Sequence, residues 1–134
     1  MFDWLRSKRP APLSGAPSVR RQKSYSAQSG YVYQYFYEGL RAAAREGEQG
    51  CEYVFDVTAD RRKSFPVSVF VGAAGVAGWE ERHRRRLTAS ERYAIAKMAL
   101  FQAFDERENP AAMQDEVRVR AADIEAILET LGVE

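Results

Sequence analysis

Three stretches of the chain alternate apolar and polar residues with a period of two. In "YVYQYFYEGL" (31–40), Tyr31, Tyr33, Tyr35 and Tyr37 share one face. In "CEYVFDV" (51–57), Cys51, Tyr53, Phe55 and Val57 oppose Glu52, Val54 and Asp56. In "FPVSVFV" (65–71), Phe65, Val67, Val69 and Val71 line up in the same way. Alternation rich in aromatic and β-branched residues predicts half-buried strands. "ADRRK" (59–63) suits a hairpin loop between the second and third. "RAAAREGEQG" (41–50) is expected to extend the first strand and then run into a loop, because Gly47 and Gly50 interrupt any helix.

Gly72, Gly75 and Gly78 end this pattern, and the period becomes helical. A helix is expected over 76–85. "TASE" (88–91) has the S/T-x-x-E form of a capping box and should open a second helix running to about 107. Asn109 and Pro110 stop it. "EVRVR" (116–120) reads as a strand with Val117 and Val119 inward. Ile124, Ile127, Leu128 and Leu131 then form one face of a last helix, with Gly132 as its stop. The predicted order is β-β-β-α-α-β-α. It describes an α+β fold in which helices cover one face of a mostly antiparallel sheet.

The odd faces of the three strands are the apolar ones, so the tyrosines should lie beneath the helices and build core. The opposite face then presents Phe36, Val54 and Phe70 among polar residues. An apolar cluster on an open sheet face predicts a protein contact. One residue breaks the pattern of the second helix: Lys97 falls on its apolar side, near Phe101 and Phe104. It is expected either to snorkel or to serve as a semi-buried cation for a carboxylate, tyrosine hydroxyls or an anionic ligand.

The chain has 134 residues and 46% hydrophobic content, enough for one domain with a core. Residues 7–30 hold three of the five prolines and many serines, so residues 1–29 are expected to be a flexible arm and residues 30–134 the domain. Charge divides the same way. Residues 1–29 carry six cationic side chains against Asp3, a net of +5, which leaves −4 for the rest. Phe2, Trp4 and Leu5 could form a short anchor ahead of the arm. Arg61, Arg62 and Lys63 in the hairpin loop, and Arg84, Arg85 and Arg86 at a helix end, are candidate phosphate contacts.

Catalytic signatures are absent. His83 sits alone in "ERHRRR", Cys51 is the one cysteine, and "GAAGVAG" (72–78) lacks the phosphate-loop ending. No metal site or cofactor is predicted. The start has no secretory signal pattern and no apolar run reaches membrane-span length, so a cytoplasmic protein is expected. The sequence therefore predicts a non-catalytic module acting through protein contact, with self-association as one form. Nucleic-acid binding through the arm and the arginine clusters is the alternative. A small enzyme using Lys97 is a third option.

Overall fold

A computed structural model describes residues 11–134. The elements are β1 Lys23–Ser26, β2 Val32–Arg45, β3 Glu48–Thr58, β4 Phe65–Gly72, α1 Ala73–His83, α2 Ala89–Glu106, β5 Val117–Val119 and α3 Ala121–Thr130, with a 3-10 helix at Pro110–Gln114. The five strands form one curled sheet in the order β1-β2-β3-β4-β5. Neighbours are antiparallel except β4 and β5, which are parallel. The α+β class and the order β-β-β-α-α-β-α match the sequence reading, with β1 added ahead of them. That strand lies within the stretch expected as an arm. It is held by ladder pairing of Lys23 with Tyr35 and Tyr25 with Tyr33, and by Tyr25 stacking on Phe101 at 4.3 Å. Phe2, Trp4 and Leu5 lie outside the described residues.

The segment 41–50 extends the first strand as expected, but the loop after it shrinks to a two-residue turn. The ladder continues up to the pair Arg45 and Glu48. The two residues between them, Glu46 and Gly47, both have positive φ, 54° and 83°. That is the twist a two-residue hairpin turn requires. The resulting hairpin is long, and it carries a bulge. Tyr37 pairs with Phe55, but Gly39 pairs with Val54, so Glu38 is an extra residue. Beyond it the alternation inverts: Leu40 and Ala42 face the helices, while Arg41 and Arg45 face outward, opposite Glu52 and Glu48.

The helix side holds the core. Tyr33, Phe55, Ile95, Leu100, Phe104, Ile124 and Leu128 are fully buried. Each such side chain contributes roughly 1.5–3 kcal/mol relative to exposure. Tyr33 stacks on Phe104 at 4.1 Å. Tyr35 is also buried, whereas Tyr31 is exposed at the rim. The capping box forms as predicted: the Glu91 amide donates to Thr88 Oγ1 at 3.1 Å, and the Thr88 amide donates to Glu91 Oε1 at 2.9 Å.

Candidate functional site

The outward sheet face does not offer the expected contact patch. Val54 is 8% and Phe70 2% exposed. The Arg45 guanidinium lies 5.3 Å from the Phe70 ring, and Arg20 stacks on Phe36 at 3.7 Å while pairing with Glu38 and Asp56. The bulge turns Arg41 and Arg45 onto this face, where they bracket Glu52. That carboxylate is buried and accepts from Arg41 Nε at 2.8 Å and from Ser68 Oγ. Burial alone would push the Glu52 carboxyl up. The hydrogen bonds from Arg41 and Ser68 and the charges of Arg41 and Arg45 outweigh it, holding the group below its ordinary value. Arg45 also donates to Glu116, which joins this network to the approach to β5.

The basic residues separate into two places. Arg61, Arg62 and Lys63 are exposed in the β3–β4 loop beside Phe36. The amides of Arg62 and Lys63 donate to Asp60, so an acid sits within this loop. Arg84 takes a left-handed conformation at the end of α1, with φ of 52°, and Arg86 is exposed. Arg85 is committed to Glu91, with one contact at 2.9 Å. His83 stacks on Trp79 at 4.2 Å and faces Glu125. Among the described residues, no group of three His, Cys, Asp or Glu side chains could hold a metal ion.

The structure creates a site that the sequence reading did not join together. A cleft of about 570 Å³ opens between the segment 15–23, β2 and the start of α2. Tyr35, Tyr37 and Tyr53 form its floor, and Tyr93 forms the wall on α2. Arg21 and Lys23 line its edge. The segment 15–23 reaches this position because Ser14 and Leu40 exchange two backbone hydrogen bonds, at 2.9 and 2.8 Å. Gly39, with φ of +126°, permits the approach: a Cβ there would lie 2.6 Å from the Ser14 carbonyl oxygen.

Lys97 lies one helical turn beyond Tyr93 on α2, with its ammonium 5.7 Å from the Phe101 ring. It is half-buried and lies near the exposed Lys23. Among the described residues, neither lysine has an acidic partner within 4.0 Å. Burial, and then the neighbouring Lys23 charge, hold the Lys97 ammonium below its ordinary value.

The phenols shift the other way. Burial pushes Tyr35 up to about 12, with Tyr93 adding to it, and burial followed by Cys51 pushes Tyr53 up to about 12. Tyr37 is raised by burial and then by Tyr53, Tyr93 and Cys51, and Tyr93 is raised by burial. At neutral pH all four are therefore protonated donors. The Tyr37 hydroxyl is buried with no hydrogen-bond partner among the described residues. Among the described residues, the lining contains no carboxylate, histidine or cysteine. Glu91, the one acid in the first turn of α2, is taken up by Arg85 and Thr88.

Sequence reasoning identified Lys97 and the tyrosines but missed Arg21, Lys23 and Tyr93 as partners. Their convergence depends on β1 pairing with β2, and the arm composition hid that pairing. Within the described residues, no helix is long and apolar enough to cross a membrane. Comparison with protein-family models, curated proteins and solved structures finds no match to this chain.

Proposed function

We propose that this protein is a non-catalytic binding module for a small organic anion, seated in the tyrosine-floored cleft. One observation carries this reading. The cleft combines Arg21 and Lys23 with four protonated phenols and, among the described residues, has no acid in its lining. The half-buried Lys97 lies near the exposed Lys23, and among the described residues neither ammonium has an acidic partner within 4.0 Å. An anion would relieve their repulsion and accept from the phenols. Among the described residues the lining holds no carboxylate, histidine or cysteine, which favours binding over turnover.

The protein-contact role expected for the outward face loses its basis once Val54 and Phe70 are covered. The test is thermal unfolding with benzoate or phenyl phosphate, against neutral benzamide. Either anion should raise the melting temperature by several degrees at high saturation, and benzamide should not. Lys23→Met and Lys97→Met should each remove the effect. Stabilisation by neither anion, or equal stabilisation by benzamide, overturns the proposal.

A further inference from the structure

A second cleft, of about 600 Å³, adjoins the first and shares Leu40, Tyr53 and Ala89 with it. Its character is different. Ala42, Cys51, Val71, Val76 and Ala77 line it between the distal β2–β3 hairpin and α1. Its one acid, Glu80, is occupied by the Leu87 amide at 2.8 Å, and Arg92 is exposed. The two clefts therefore form a graded path along the helix side of β2. Lys23 stands opposite Tyr35 at one end, Tyr37 follows, and Leu40 and Ala42 lie beyond the bulge. At about 3.3 Å per residue, and allowing for the bulged residue, the path from Tyr35 to Ala42 spans about 20 Å. Without the bulge, Gly39 would take the place of Leu40 opposite Tyr53, Arg41 would take the place of Ala42 opposite Cys51, and the path would end in charge.

We propose that the ligand is a single-chain anionic amphiphile, free in solution. Its head is held at Arg21, Lys23 and the phenols, near Lys97, and its aliphatic tail lies in the second cleft. This rests on the anion-binding reading of the first cleft and adds the tail. Two features select this occupant: Arg21, Lys23 and the phenols gather at one end, and beyond the shared residues the lining is mostly aliphatic, with Glu80 held by the Leu87 amide and Arg92 exposed. Cys51, half-buried in the second cleft, is a built-in reporter of the tail.

The experiment uses the full chain with butanoate, octanoate and dodecanoate, below micelle-forming concentrations. Calorimetry gives Kd, and the rate of Cys51 modification by a small thiol reagent reports cleft occupancy. Each buried methylene should tighten binding about fourfold, so octanoate should bind about 200-fold more tightly than butanoate. Dodecanoate should slow Cys51 modification and butanoate should not. Ala42→Phe, at an exposed strand position lining the second cleft, should weaken dodecanoate binding and leave benzoate binding unchanged. If benzoate binds but chain length changes Kd by less than about tenfold and Cys51 stays unprotected, the tail proposal is overturned and the anion site stands. Equal binding of dodecanol and dodecanoate refutes the anion site. Binding to anionic vesicles without binding to the monomeric carboxylates refutes the soluble amphiphile.

Discussion

Raising the pH should unfold this protein through its buried tyrosines. Tyr35 and Tyr53 are each 3% exposed. Burial places both phenols at about 12 in the folded state, against about 10 when unfolded. A raised pKa means that the contribution is whole below pH 10 and is lost as pH climbs through 12. Two units correspond to about 3 kcal/mol for each phenol, or roughly 5 kcal/mol for the pair. Tyr33, Tyr37 and Tyr93 shift in the same direction and add to the loss. Lys97 opposes it, since its lowered pKa relieves a penalty as the ammonium deprotonates. One lysine does not offset five phenols. Native stabilities are about 5–15 kcal/mol, so the loss is comparable with the whole. The assay follows tyrosinate absorbance and far-ultraviolet circular dichroism together from pH 8 to 13. Ionisation of the buried phenols should coincide with loss of secondary structure between pH 10 and 12. Tyr53→Phe should move that midpoint upward by removing one phenol's share. If every tyrosine ionises near pH 10 while the dichroism is unchanged, the tyrosines are not buried as described and the reasoning fails.

Three further perturbations test separate parts of the structure. Glu52→Ala should cost about 2–4 kcal/mol in urea unfolding, because it strands Arg41 and Arg45 on a covered face. Since the folded-state value of Glu52 is lowered, its contribution is present above the unfolded carboxylate pKa and fades as pH falls through the folded one. A cost under about 0.5 kcal/mol would show the network to be a surface ornament. Gly39→Ala places a Cβ 2.6 Å from the Ser14 carbonyl at a positive φ, and should cost about 1–3 kcal/mol. Trypsin should then cut faster at Arg20 and Arg21, and unchanged proteolysis would contradict the strapped position of this segment. Lys97→Met should leave stability equal or raised, as it removes a half-buried ammonium facing Lys23. A loss of about 3 kcal/mol or more in thermal unfolding would instead make the amine an indispensable partner.

The alternation of Tyr33, Phe55 and Val67 with polar neighbours determined which sheet face the helices cover. Period alone decides that, and these three residues are fully buried. Thr88 and Glu91 likewise set the start of α2, because a capping box closes within four residues. Lys97 was legible as an exception on an apolar stripe, but its neighbour was not. Lys23 lies 74 positions away in a segment whose prolines and serines resemble an arm. Only pairing of β1 with β2 brings the two ammonium groups together, and that pairing depends on Tyr25 stacking across the fold on Phe101. The bulge at Glu38 was equally hidden. One extra residue in a ladder leaves the local composition unchanged, yet it exchanges the faces of everything beyond it. It placed Arg45 over Phe70 and turned Leu40 and Ala42 toward the helices. Local pattern sets the elements and their inward faces, whereas a cleft is made by residues distant in sequence. Its existence is decided by register and pairing, which only the assembled sheet fixes.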